Sequence, residues 1–222
     1  MNILAIDTTA PFFSFSYKSE EKPTYHYLDN KQWQHAERLL VEINEIIPDF
    51  AKLDHLVISR GPGGFTGLRV GLAIAKAFKI ALPQIKIITP SHFQVIAHQY
   101  FKQNSPEEVM VVIDAKRGEV VMQRISKELK EIGEMKNILA ANIEASLLEN
   151  ERKIITDSDE VKILCPSAGL IDCCTSGEVL ELGRSLLSKN HQASLSPIYF
   201  RPSDAKLPAG FTQFIKEDIN KK

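Results

Sequence analysis

The chain has 222 residues, 44% of them hydrophobic and 25% charged, with a formal net charge of -1 from 27 basic and 28 acidic side chains. That length carries one large domain or two small ones with real cores. The near-neutral balance argues against a dedicated nucleic-acid binder, which carries a basic excess, and no apolar run approaches the ~20 residues of a membrane helix.

Ile3 to Thr8 is a short apolar run that reads as a core strand. Its acid, Asp7, comes too early, and without a basic start, for a secretory signal. Phe12 to Lys18 and Lys22 to Leu28 suit two further strands of a meander, the last with Tyr25 and Tyr27 on one face. Gln34 to Ile47 is predicted as a helix with an apolar stripe of Leu39, Leu40, Ile43, Ile46 and Ile47, ended by Pro48. Leu53 to Ser59 is the next strand. It runs into the glycine-dense segment Gly61-Pro62-Gly63-Gly64-Phe65-Thr66-Gly67-Leu68-Arg69-Val70-Gly71. Thr66 is expected to cap the helix that follows, which runs to about Leu82 before Pro83. Ile85 to Ile88 returns to strand, and Ser91 caps a helix to Phe101.

Asn104-Ser105-Pro106 is the candidate boundary between an N-terminal lobe, 1–104, and a C-terminal lobe with a docked tail, 105–222. Val109 to Asp114 and Glu119 to Ile125 restart the strand pattern, and Val111-Val112-Ile113-Asp114 echoes Ile3-Leu4-Ala5-Ile6-Asp7. Glu128 to Glu160 is polar and gives little periodicity. Within and beyond it, Ile143 to Asn150 reads as a short helix and Val161 to Leu164 as a strand. Glu178 to Lys189 is an amphipathic helix, and Ser196 to Pro202 a docked tail. Alternating strands and helices after an early meander predict a mixed α/β fold.

The glycine turn has two physical uses. It can cradle a phosphate on exposed backbone donors at a helix start, or let another backbone pack unusually close. The spacing matches neither the P-loop, which needs a lysine beside Ser or Thr, nor the dinucleotide fingerprint, so close packing is favoured. The following helix is thin at Gly67, Gly71, Ala73, Ala75 and Ala77 and bulky at Leu68, Val70, Leu72, Ile74 and Phe78. A helix apolar nearly all round must be covered all round, and one side is expected to meet a partner chain.

Asp7 and Asp114 end strands, where ligand-binding acids sit in α/β folds. Asp7 either holds a magnesium-bound nucleotide or accepts hydrogen bonds from Thr8, Thr9 or the Gly61 turn. Arg117 and Glu119, in the charged hairpin Asp114 to Glu119, pair together or meet a partner. No two of His26, His35, His55, His92, His98 and His191 lie four apart, so no H-x-x-x-H metal pair exists on one helix. His92 and His98 are expected to point in different directions. Ser59, Thr66 and Ser91 lack evident His-Asp support for a nucleophile. The odd set Cys165, Cys173 and Cys174 suggests thiols in a reducing cytoplasm.

The segments Ile3 to Thr9, Gln34-His35-Ala36-Glu37-Arg38-Leu39-Leu40, Arg60 to Gly71, Ile113 to Val120 and Pro197 to Arg201 resemble the bacterial dimerisation subunit of the tRNA threonylcarbamoyladenosine synthase complex, the glycoprotease-like family. They follow the family order across most of the chain, and the glycine block is the most specific. The resemblance implies an actin-like ATPase fold of two related α/β lobes with mixed sheets and flanking helices, the second lobe shortened. It implies a non-catalytic subunit without a metal or cofactor of its own. Its partners would be a metal-binding catalytic subunit and a separate ATPase subunit, which supply the metal ion and ATP. The complex would contact tRNA and move a threonylcarbamoyl group onto the adenosine beside the anticodon. The family's pairing surface falls here on the helices carrying Glu37, Leu40, Gly67, Val70, Gly71 and Ile74, with Asp7, Gly61, Gly63 and Gly64 shaping the turn. An isolated chain would self-associate through the same surface. Asp7 is followed by Thr8, Thr9, Ala10 and Pro11 rather than by the glycines of nucleotide-binding relatives, and Pro11 removes a backbone donor. The competing readings are a nucleotide-binding enzyme (a small kinase or ATPase), a peptidase, and a structural homodimer.

Overall fold

In the computed structural model the chain follows the same path twice. The structure describes residues 1–20, 22–29, 31, 34–47, 49–143, 153–172, 175–188 and 193–200. The first sheet contains β1 (Ile3–Asp7), β2 (Ser14–Lys18), β3 (Tyr25–Leu28), β4 (His55–Ile58) and β5 (Lys86–Ile88), in the order β3-β2-β1-β4-β5. The second contains β6 (Glu108–Asp114), β7 (Glu119–Ser126), β8 (Glu131–Leu139), β9 (Lys153–Thr156) and β10 (Gly169–Leu170), in the order β10-β9-β6-β7-β8. In each, a three-stranded antiparallel meander is extended from its first strand by two parallel strands. Parallel neighbours need long crossovers. Helices α1 (His35–Ile46) and α2 (Phe65–Ala81) provide them in the first sheet, and α4 (Asp159–Leu164) lies between β9 and β10 in the second. Helices α3 (His92–Phe101) and α5 (Ser176–Leu186) follow the last strand of each sheet. Six-residue α4 stands where the first sheet has seventeen-residue α2.

Side-chain alternation along β1 creates two cores, because successive residues face opposite sides of a strand. Leu4 and Ile6 pack beneath α1 and α2 with Phe13, Phe15, Leu39, Ile43, Leu72, Ala75 and Phe78. Ile3 and Ala5 face the other way, into a layer shared with Phe93 and Ile96 of α3, Val179 and Leu182 of α5, and Val109 and Val111 of β6. Helix α3 packs on β6, β7 and β9, while α5 packs on β1, β2 and β4, so the closing helices tie the halves together. A third apolar group, including Val112, Val120 and Met122, lies beneath α4 with Val161 and Cys165.

Several local expectations change. Val161–Leu164 is helical, because the Ser158 hydroxyl accepts from the Val161 N–H and Asp159 and Glu160 occupy the first turn, where the helix dipole favours acids. The polar stretch 128–160 holds two strands, β8 and β9. Thr66 does not cap α2: Phe65 is already helical, Gly64 holds the cap position, and no side chain bonds there. Ser91 does cap α3, in a reciprocal capping box with Gln94. The tail is docked over 193–200, where the Ser194 N–H donates to Thr89 Oγ1 and the Ile198 N–H to the Arg60 carbonyl, each at 2.8 Å. The readings of 144–150, Pro48, Cys173, Cys174, Lys189, His191, Arg201 and Pro202 lie outside the described residues, as does the His35 side chain. Among the described residues, no helix is long and apolar enough to cross a membrane.

Candidate partner face and glycine turn

The turn between β4 and α2 is built against the residues that follow β1. Gly61 has φ +92, a left-handed conformation that favours glycine. At Gly63 an added Cβ would lie 2.7 Å from Thr9 Cβ and 2.8 Å from the Thr9 carbonyl oxygen, so only a hydrogen fits. The Gly64 N–H donates to that same carbonyl at 2.7 Å, and the Thr9 N–H donates to Asp7 Oδ1 at 2.8 Å. Asp7 thus holds Thr9, and Thr9 holds the turn. The space against Gly63 is occupied by the chain's own backbone.

Of the six residues expected at a pairing surface, Glu37 and Leu40 are exposed and Val70 is half-buried. Gly67, Gly71 and Ile74 are buried within the subunit. A Cβ on Gly71 would sit 2.5 Å from Thr8 Oγ1 and 3.1 Å from Ile58 Cδ1. The missing side chain of Gly71 lets α2 lie close on its own sheet. The opposite side of the helix carries Arg69, Ala73, Lys76, Ala77 and Ile80. Leu40, Val41 and Ile80 are 46%, 58% and 81% exposed, a high exposure for such side chains.

Two contacts frame this outer face. The Arg69 guanidinium lies 4.1 Å over the Phe65 ring, and its Nε donates to the Tyr199 hydroxyl at 3.1 Å. Tyr199 stacks at a tilt on Phe65, with centroids 5.0 Å apart, so the docked tail reaches the first turn of α2. On α1, Arg38 donates to both oxygens of buried Asp29, at 2.5 and 2.7 Å, and also to Glu42 and to the Tyr27 hydroxyl. A two-pronged charged contact of this kind fixes orientation as well as energy.

Arg117 is exposed at the tip of the β6–β7 hairpin, where Lys116, Arg117 and Gly118 have φ of 60, 58 and 74. Glu119 begins β7 and accepts from Asn137 Nδ2 at 3.0 Å. Asp114 pairs with Lys116. Among the described residues, no three His, Cys, Asp or Glu side chains are grouped to hold a metal ion.

The sequence reading missed a buried trio between the lobes. His92 Nε2 lies 2.7 Å from Asp157 Oδ2, joining the first residue of α3 to the loop between β9 and α4. His92 Nδ1 has no hydrogen-bond partner among the described residues. Burial disfavours the charged imidazole, but the Asp157 carboxylate, reinforced by Asp7, outweighs it and raises the His92 pKa above its ordinary 6.5. For Asp157, burial is likewise outweighed, here by His92, and its pKa falls below 3.8. Burial dominates at Asp7 and raises its pKa. Spacing in the sequence gives His92 no metal-ligand pair. The remaining signal was an acid just past a strand, which the polar stretch concealed.

A family model described as TsaD: tRNA N6-adenosine threonylcarbamoyltransferase matches residues 30–197. The tRNA threonylcarbamoyladenosine biosynthesis protein TsaB of Haemophilus influenzae is 34% identical over 136 residues, 58% of this chain and 55% of that protein. TsaB of Escherichia coli is 29% identical over 124 residues, covering 54% and 53%. The chain thus spans about half the length of these two curated relatives. TsaB of Buchnera aphidicola from Acyrthosiphon pisum is 29% identical over 171 residues, covering 72% and 76%. The solved structure of YeaZ from Pseudomonas aeruginosa superposes with a TM-score of 0.71 at 18% identity, over 90% of this chain and 99% of that one. At that identity the likeness establishes a shared fold, the two-lobed actin-like ATPase type. The chain therefore belongs to the tRNA N6-adenosine threonylcarbamoyltransferase (TsaD) family and is a homologue of the TsaB and YeaZ proteins.

Proposed function

We propose that this chain is the non-catalytic partner subunit of a cytoplasmic complex that transfers a threonylcarbamoyl group to the adenosine beside the anticodon of tRNA. The observation that carries the reading is the outer face of α1 and α2. Leu40 and Val41 of α1 stand exposed, as do Ala73, Ala77 and Ile80 of α2, although both helices already fill the core beneath them. Small side chains let a second pair of helices approach closely, and a specific interface needs ~1,600 Å² in total. In this reading the occupant is the metal-binding catalytic subunit, and isolated copies self-associate through the same face. A separate ATPase subunit docks on the assembly, ATP and the metal ion reside in those partners, and tRNA is met mainly through the complex. Arg117 and Glu119 are further candidate partner contacts. The lobes divide near residue 104, between α3 and β6. The packing of Thr9 against Gly63 supports a subunit without its own nucleotide chemistry, because the turn's backbone is spent on internal contact.

The test is reconstitution. The catalytic and ATPase subunits, with threonylcarbamoyl-adenylate as donor, ATP and unmodified tRNA, are expected to yield threonylcarbamoyladenosine and release AMP only when this chain is added. Equal yield with and without the folded chain overturns the reading, and so does turnover by this chain alone.

A further inference from the structure

The buried trio touches the turn from which α2 departs. The His92 N–H donates to the Gly61 carbonyl at 2.7 Å, and the Arg60 N–H donates to the Pro90 carbonyl at 3.0 Å. The start of α3 and the glycine turn are therefore stitched together by backbone. The His92 ring extends from this seam to Asp157 in the other lobe. Gly71 and Gly63 leave α2 and its turn no slack against Thr8 and Thr9. Close-packed elements transmit displacement rather than absorb it.

We propose that His92 is a positioning residue: held by Asp157 of the second lobe, it fixes the glycine turn of the first and so sets the stance of α2. The charged groups facing the imidazole are Asp157, from the β9–α4 loop, and Asp7, from the end of β1. A protonated ring is attracted to both. A neutral ring keeps at most the hydrogen bond to Asp157 and leaves two buried carboxyl groups without a counter-charge. The seam is therefore tight while the ring is protonated and loosens as His92 loses its proton. This goes beyond the proposed subunit role, since it concerns the isolated chain and needs no partner.

The experiment is amide hydrogen exchange of the full chain, corrected for the intrinsic rate, read at the Gly64 and His92 amides from about pH 6 to about pH 9. Protection at both is expected to fall with rising pH in the wild type. In Asp157→Asn it should be lower by more than about tenfold already at the acidic end, as expected for breaking a buried pair, and nearly flat with pH. Amides of β3, at the far edge of the first sheet, should keep their protection. Equal Gly64 protection in wild type and Asp157→Asn overturns the proposal, as does a uniform loss across all amides. If Asp157→Asn does not fold, a nuclear magnetic resonance titration of the wild-type His92 ring decides: a midpoint at or below the ordinary 6.5 overturns the proposal, and one above it supports it.

Discussion

Adjacent glycines in the turn should respond oppositely to a side chain. In Gly63→Ala the new Cβ would meet the Cβ, carbonyl oxygen and Cα of Thr9 at 2.7, 2.8 and 2.9 Å. Two of those are backbone atoms, so relief requires moving the strand end rather than turning a side chain. Overpacking of this kind costs about 1–3 kcal/mol. Displacing Thr9 also weakens the bond from Gly64, worth about 0.5–1.5 kcal/mol. The total is about 2–4 kcal/mol, or a fall in Tm of roughly 5–12 °C for a chain of this size. At Gly64 a Cβ would approach nothing closer than 3.4 Å. Its φ of -58 suits any residue, and it occupies the N-cap of α2. Gly64→Ser is therefore expected to change stability by less than about 0.5 kcal/mol or to gain up to about 1 kcal/mol. Urea melts at matched slope give both values. Equal destabilisation by the two variants, or a neutral Gly63→Ala, would refute the claim that the turn exists for close backbone packing.

The same reasoning fixes four further outcomes. Gly71→Leu drives a side chain into Thr8 and Ile58, and should destabilise the subunit itself by about 1–3 kcal/mol or more in a urea melt; a fully stable variant would place Gly71 at the surface. Ala73→Glu, on the opposite side of α2, should leave Tm nearly unchanged yet weaken pairing with the catalytic subunit by about tenfold or more, measured by calorimetry, because an unpaired charge would be buried. Arg38→Met strands the Asp29 carboxylate, whose side chain is 1% exposed, and should lower the urea midpoint; adding Asp29→Asn should recover most of the loss, and a double variant weaker than the single would contradict the pairing. Stability should also depend on pH. The raised pKa values of His92 and Asp7 contribute stability that is present at low pH and lost as pH rises through the folded values. The lowered pKa of Asp157 contributes stability that is lost as pH falls. Urea midpoints from about pH 5 to about pH 9 should decline toward the alkaline end, and His92→Gln should flatten that decline; identical slopes would refute the assignment.

What the sequence made legible follows from how local each signal is. Ile3 to Asp7 announces a buried strand because every residue in it is apolar until the acid, and Ser91 announces a helix start because its capping partner Gln94 lies three residues on. Strand β8 lies at a sheet edge with most residues exposed, so no alternation marks it. Val161 to Leu164 looked strand-like because its cap, Ser158, lay in the polar stretch before it. The proposed pairing face was legible only as a pair of helices. A wheel with bulk on several flanks does not say which flank the sheet takes, and the packing of Gly71 against Thr8 and Ile58 was therefore not legible. Tyr199 against the first turn of α2 and Asp157 beside His92 are products of the fold, the latter pair separated by 65 residues.

The most direct measurement is hydroxyl-radical footprinting of this chain mixed with its catalytic TsaD-type subunit, read at Leu40, Val41 and Ile80. The account predicts a stable heteromer in which all three side chains become protected, and the loss of both heteromer and protection in Ala73→Glu. Two folded proteins that do not associate, or that associate while these side chains label as readily as in the free chain, would contradict it.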